Sequence, residues 1–225
     1  GQFAGLSVVA LGAFAGGFLA VILVYRLATS ATGTSVATML LAGIAISALA
    51  GALNSLLSFF ADDEMLRRIS LWQMGSLDAA NWPRVWIAAA AVAVVMLMLP
   101  REGAALNAFL LGESEARHLG IEVDVVKRRL ILMTAMAIGV SVAVAGTISF
   151  VGLIVPHIVR LLIGPDHRYL IPASALAGAM LLILADAVAR VVVAPAELPA
   201  GILTALLGTP FFFSLLAQKR RVEER

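Results

Sequence analysis

The sequence predicts an all-α, polytopic membrane protein, and three observations carry that prediction. Apolar residues make up 61% of the 225-residue chain and charged residues 13%, well below the roughly one quarter typical of soluble domains. A soluble core of this length cannot hide so much apolar surface, so lipid is the expected solvent. Uncharged runs long enough to cross a bilayer, at about 20 residues per crossing, recur along the whole chain. Between them lie short polar segments and one polar island, residues 101–129, which holds five Lys/Arg and five Asp/Glu.

Taken in order, the first span is expected at 5–27, built on the uncharged stretch from Gln2 to Tyr25. Residues 26–38, rich in Ser, Thr and Gly, read as a polar turn before a second span at 39–61. Asp62, Asp63 and Glu64 follow, and Met65, Ile69, Trp72 and Gln73 then fall at helical spacing, which predicts a short amphipathic helix lying at the interface. Asn81 is a helix cap with Pro83 in the first turn, opening a third span at 82–99. Residues 130–159 are uncharged, too long for one span and short for two. Gly146, Ser149, Gly152 and Pro156 divide this stretch into spans at 130–147 and 149–163, the second short or irregular. Further spans are expected at 171–193 and 201–217, about seven in all, before the basic tail Lys219–Arg221.

Orientation follows from the Lys/Arg asymmetry of the loops. Arg26, the island, residues 160–168 and the C-terminal tail hold twelve of the sixteen Lys/Arg. The island and the C-terminus are therefore expected in the cytoplasm, and residues 62–84 and 190–200 on the opposite side. The chain begins inside an apolar segment without an initiator Met, and reads as the C-terminal portion of a longer protein.

Chemistry-bearing clusters are few. The chain has no cysteine, which excludes a disulfide framework and a thiolate metal site. His118, His157 and His167 are scattered, so no metal site is expected. There is no Gly-Lys-Ser/Thr phosphate loop, so ATP is not expected to bind here in that manner, and no acid, base and nucleophile set argues for an enzyme. Gly43, Ser47, Gly51 and Ser55 recur every four residues on one face of the second span. That spacing serves ordinary helix packing, or a dimer or pathway-lining face. Asp186 and Arg190 lie one helical turn apart within a span; they read as an i,i+4 pair and as a functional site by default, and the two readings are compatible.

The island is followed by Gly146-Thr-Ile-Ser-Phe-Val-Gly-Leu-Ile-Val-Pro-His-Ile-Val-Arg160, then by Gly164-Pro-Asp-His-Arg168. Leu184-Ala-Asp-Ala-Val-Ala-Arg190, Glu197-Leu-Pro-Ala-Gly201 and Thr204-Ala-Leu-Leu-Gly-Thr-Pro210 complete the pattern. In this order, and over the whole chain, these motifs resemble the FecCD-type permease subunits of binding-protein-dependent ABC importers for cobalamin, ferric siderophores and heme. The resemblance implies a ten-helix type II importer fold in the bacterial inner membrane, of which this chain, a single permease domain over 1–225, supplies the fourth to tenth helices. It also implies a second permease copy in a homodimer, two cytoplasmic ATPase subunits that bind ATP and Mg, and a periplasmic substrate-binding protein. No cofactor on this chain and no nucleic-acid partner are expected.

Residue by residue, the resemblance places the ATPase-coupling helices in the island, at Gly112–Ile121. Gly112 and Gly120 would supply turns, Ala116 and Leu119 an apolar contact, and Glu113, Glu115 and Arg117 rim ion pairs, with Ile121 closing the segment. Ser35, Val36, Ala37 and Thr38 match the cytoplasmic gate region. Arg190 matches an arginine that docks the binding protein, with Arg67 and Arg68 as further docking candidates. The function implied is translocation by alternating access, with heme favoured as cargo, ferric siderophore or cobalamin as alternatives, and a non-transporting scaffold as a reading from another class. For heme the support is the likeness of Thr34–Gly43 and Val193–Pro199 to heme permeases.

Overall fold

Helices account for almost every described element of the computed structural model. Its backbone covers residues 2–30, 33–34, 36–78, 80–196 and 198–223, and its side chains residues 11–29, 37–78, 80–196 and 198–214. In chain order these are α1 (Gln2–Ala28), α2 (Val36–Phe59), α3 (Asp63–Met74), α4 (Trp82–Met98), α5 (Gly103–Phe109), α6 (Glu113–His118), α7 (Val123–Ala145), α8 (Val151–Ile163), α9 (His167–Val192) and α10 (Ala200–Glu223). Large apolar side chains such as Leu40, Leu41, Ile44, Trp86 and Leu97 point outward, the pattern of a chain whose solvent is lipid or another apolar partner.

Among the described residues, five stretches are long and apolar enough to cross a membrane: Leu11–Ala28, Ala37–Phe59, Trp82–Phe109, Val123–Ala145 and His167–Val192. Val151–Ile163 is apolar but shorter, and Ala200–Ser214 is the apolar part of α10 whose side chains are described. Together these are seven apolar segments among the described residues, matching the expected count of about seven. At 13 residues, α8 is about 20 Å long, less than the roughly 30 Å of a bilayer's hydrocarbon core.

Local chemistry explains most boundaries. Asp62 caps α3 by accepting the Met65 N–H at 2.7 Å. Asn81 caps α4 through the Arg84 N–H at 3.0 Å, with Pro83 in the first turn where a missing N–H costs nothing. Beyond α4, a 3-10 turn (Leu99–Glu102) containing Pro100 carries the chain into α5.

Three expectations are corrected. Residues 26–38 are not only a turn: Thr29 pairs with Thr34 and Ser30 with Gly33 in a two-residue antiparallel ladder, β1 (Thr29–Ser30) and β2 (Gly33–Thr34). The helix expected from 130 starts at Val123, because Lys127, Arg128 and Arg129 belong to its first turns rather than to the loop. The coupling pair expected within Gly112–Ile121 begins earlier, at Gly103, so that segment holds only its second helix.

Packing is organised around α7, α8 and α9. α1 lies along α7, approaching so closely that a Cβ on Gly139 would meet Phe14 at 2.9 Å. Small residues at the crossing let two lipid-embedded backbones approach and gain dispersion contact. α8 packs on α9 through Val155, Val159 and Leu170, flanked by Val151, Ala173, Ala177 and Leu181.

Candidate functional site

The α5–α6 pair is a small folded unit with its own core. Ala116 is fully buried, packed with Ala108 and Val123 and flanked by Phe109 and Ile121. α6 opens at Gly112 (φ 107°) and closes at Gly120 (φ 82°), and nothing lies within 4 Å of where a Cβ would stand at either. The backbone conformation, not space, asks for glycine there. After Gly120 the Ile121 N–H bonds the Ala116 carbonyl at 3.1 Å and the Gly120 N–H bonds the Arg117 carbonyl at 3.0 Å. This is the two-bond glycine cap that ends a helix with an apolar clasp.

Charged pairs tie the unit to its neighbours. Lys127 Nζ lies 2.5 Å from Glu113, Arg117 3.3 Å from Asp124, and Arg129 3.4 Å from Glu102. The outward apolar surface is made by Leu119 (63% exposed), Leu110 and Leu111. An outward contact was expected of Ala116; its burial gives it the role of holding the unit together. Glu115 is exposed.

α5 is also seated on the start of α9. Asn107 Oδ1 accepts the His167 backbone N–H at 2.9 Å and the ring Nδ1–H at 2.8 Å, while Nδ2 donates to Asp166 Oδ1 at 2.7 Å. The same Asp166 oxygen caps α9 by accepting the Arg168 N–H at 3.0 Å. Those donors, Asn107 first and then the Arg168 backbone, hold the Asp166 carboxyl below the usual carboxylate range. Gly103, one turn before Asn107, backs onto Arg168: a Cβ there would stand 3.0 Å from the Arg168 side chain and 3.2 Å from its backbone nitrogen.

The opposite end of the bundle is joined backbone to backbone. Gly75, Gly146 and Gly201 end α3, end α7 and open α10. Ser76 N–H bonds the Ala145 carbonyl at 2.9 Å, Thr147 N–H the Trp72 carbonyl at 3.3 Å, and Gly201 N–H the Gly75 carbonyl at 3.0 Å. A Cβ on Gly146 would fall on the Trp72 carbonyl oxygen, and one on Gly201 on the Met74 carbonyl oxygen. The Thr147 hydroxyl adds a bond to the Gln73 carbonyl.

Arg190 stands at this end. Its Nε is 2.8 Å from Asp186 and its Nη2 3.2 Å from Asp78, the latter fixed by Ser76 Oγ at 2.6 Å. The i,i+4 pair expected from sequence is thus one arm of a three-member cluster. Arg67 and Arg68 are exposed on α3, and Arg68 pairs with Glu64 on its own helix.

The other site expectations divide. Ser47, Gly51 and Ser55 are exposed and Gly43 half-buried, and a Cβ on Gly43 or Gly51 would meet nothing within 4 Å. That stripe does not serve packing among the described residues. Ser35 lies outside the described residues, as does the side chain of Val36; Ala37 and Thr38 are exposed in the first turn of α2. His118 is in α6, His157 packs edge-on against Phe211 and His167 is held by Asn107. Among the described residues no group of three His, Asp or Glu is placed to hold a metal.

Sequence reasoning missed Asn107, Asp166 and Asp78 as partners. Asp166 carried a readable signal, an N-cap residue between Gly164-Pro165 and a helix. Asn107 carried a weaker one, its i,i+4 spacing from Gly103 on a single face.

Residues 1–218 match the FecCD transport family. The chain is 45% identical over 210 residues to the hemin transport system permease protein of Yersinia pestis, covering 93% of this chain and 63% of that protein. It is 43% identical over 217 residues to the cobalamin import system permease protein of Halobacterium salinarum, covering 95% of this chain and 58% of that one. It thus spans less than two thirds of the length of these two relatives. Among solved structures, one described as an inward-facing metal-chelate type ABC transporter superposes with a TM-score of 0.80 at 32% identity, covering 95% of this chain and 74% of that one.

Proposed function

The chain belongs to the FecCD transport family, and on that premise we propose that it is permease machinery of an ABC importer moving heme or another iron chelate into the cytoplasm. The observation that carries this reading is the α5–α6 unit. It is a rigid, glycine-capped pair between membrane helices that turns Leu110, Leu111 and Leu119 outward inside a charged rim. Such a surface is an interface, because an apolar ridge with a polar rim is costly to leave in water and gains on being covered. Its partner is a cytoplasmic ATPase, since Lys/Arg asymmetry puts this end inside and the chain has no phosphate loop of its own.

The proposed assembly has two permease copies, two ATPases that bind ATP and Mg, and a periplasmic binding protein that meets Arg190, with Arg67 and Arg68 as further contacts. The chain itself performs no chemistry. It changes between two conformations whose relative stability ATP and the docked binding protein bias. The Gly43–Ser47–Gly51–Ser55 face lines the pathway or the contact between copies, and residues 35–38 form the inner gate. The C-terminus is cytoplasmic and the membrane is the bacterial inner membrane.

Heme is the favoured cargo, supported by the 45% identity to a hemin permease. The 43% identity to a cobalamin permease keeps cobalamin as the second reading, with ferric siderophore beside it. The test is ATP-driven uptake into liposomes holding the complete permease, its ATPase and its binding protein. The expected result is heme accumulation that needs ATP and the binding protein. Uptake of cobalamin or a ferric siderophore without heme replaces the cargo; assembly of all partners with no uptake of any chelate replaces transport with a scaffold role.

A further inference from the structure

Resting on that permease reading, we propose that Asn107 is a positioning residue that joins the coupling helices to α9, so that α9 carries their movement across the membrane to the Asp78–Arg190 contact. The Gly164-Pro-Asp-His-Arg168 motif is then a socket for α5 as well as the start of a helix.

The geometry at the inner end supports a fixed joint. Asn107 uses both halves of its amide, taking two N–H groups of His167 on Oδ1 and giving one to Asp166. Because Asp166 Oδ1 also caps α9, one carboxylate oxygen serves the helix start and the clamp together. Displacing α5 from this seat leaves the α9 cap with a part-buried oxygen short of a donor, a penalty larger than the net worth of a solvated bond. Gly103 supplies the second point of contact, and its lack of a side chain lets the α5 backbone lie on Arg168. Among the ties from α6 to α7, Lys127–Glu113 and the Ala116–Val123 contact are the covered ones. Arg117–Asp124 is more than half exposed on both sides, and such ion pairs contribute little.

From that seat α9 runs helically for 26 residues, about 39 Å at 1.5 Å per residue. At its far end Arg190 reaches off the helix to Asp78, in the segment that joins α3 to α7 and α10. Pro172 is the weak point, since it lacks the N–H that would close onto Arg168. α8 braces it: Val155 and Val159 pack with Leu170 before the proline, while Ala173, Ala177 and Leu181 continue the same contact after it. α9 therefore has a side-chain joint at each end and a splint across its one break.

The test uses the complete importer in liposomes, with three readouts: assembly, basal ATPase rate, and uptake per ATP hydrolysed. Asn107→Asp sets a carboxylate against Asp166. It is expected to leave assembly and basal ATPase within about twofold while lowering uptake per ATP about tenfold, the scale of one lost charge-linked hydrogen bond. The swap Asn107→Asp with Asp166→Asn restores a donor facing an acceptor, and is expected to bring uptake per ATP back to within about twofold of wild type. Normal uptake per ATP in the single variant overturns the proposal, as does a swap that assembles but does not recover.

Should the single variant fail to assemble, Asn107→Cys with His167→Cys decides the matter in this cysteine-free chain. Oxidation is expected to restore uptake that reduction abolishes. Uptake that is lost on oxidation and present on reduction means that α5 slides on α9, and the proposal falls. A wild-type importer that moves no chelate at all fails at the permease reading instead.

Discussion

The two ends of the bundle are both junctions of several elements, yet they are held by different means. At the α5–α6 end the bonds run through side chains: Asn107 on Asp166 and His167, Lys127 on Glu113, Arg129 on Glu102. At the α3 end the closest contacts run backbone to backbone, with Gly75, Gly146 and Gly201 removing the side chains that would keep the chains apart, and the Arg190–Asp78 pair is added beside them. A side-chain joint tolerates any substitution that keeps its donors facing its acceptors. A glycine junction gains its close fit at the cost of tolerance, because any added atom overlaps a carbonyl. On the permease reading proposed above, the first suits an end that a partner meets, the second an end that acts as a pivot.

That contrast can be broken most sharply with glycine substitutions. Gly146→Val puts a branched Cβ onto the Trp72 carbonyl at a backbone φ of 72°. The expected loss is above about 3 kcal/mol, combining strain at positive φ with overpacking, seen as little folded protein in membranes. Gly201→Val is expected to behave alike. A Gly146→Val protein with a wild-type unfolding temperature refutes the pivot. Gly112 is the control at the other end: φ is 107° but nothing lies near its Cβ position, so Gly112→Ala is expected to cost only the backbone strain of that conformation, about 1–3 kcal/mol. Denaturation of the purified chain in detergent measures both, and equal losses erase the distinction.

Two smaller effects sharpen it. Lys127→Gln removes the half-buried pair to Glu113 and is expected to cost about 0.5–1 kcal/mol, with assembly retained; a loss of several kcal/mol makes that pair structural. The last effect is a pH dependence. The Asp166 carboxyl titrates lower in the folded chain than in the unfolded one, so its contribution is present above the unfolded value and lost as pH falls through the folded one. Thermal unfolding of wild type is therefore expected to weaken below about pH 4, and less so in Asp166→Asn. Identical acid profiles for the two count against the clamp.

How far the sequence alone reached follows the range of each interaction. The cap at Asn81, the break at Gly146 and the pairing of Asp186 with Arg190 are legible, because each depends on residues within a few positions. The start of α7 is not legible in this way, because a run of charge reads as loop. Lys127, Arg128 and Arg129 are helical, and Lys127 finds Glu113 across the turn. Asn107 on Asp166 and Gly201 on Gly75 lie far apart in the chain, and no periodicity announces them. Ala116 shows the limit at one residue: a small apolar side chain reads the same in a core as at an interface, and only the fold decides.

The central claim is that the α5–α6 end is an interface whose outward leucines transmit work, while the fold beneath them stands by itself. Leu119→Asp tests it, since Leu119 is 63% exposed and absent from the small core. In liposomes with the complete importer, the variant is expected to insert and unfold like wild type while ATPase association and ATP-driven uptake fall about tenfold or more. Wild-type uptake by Leu119→Asp would contradict the account.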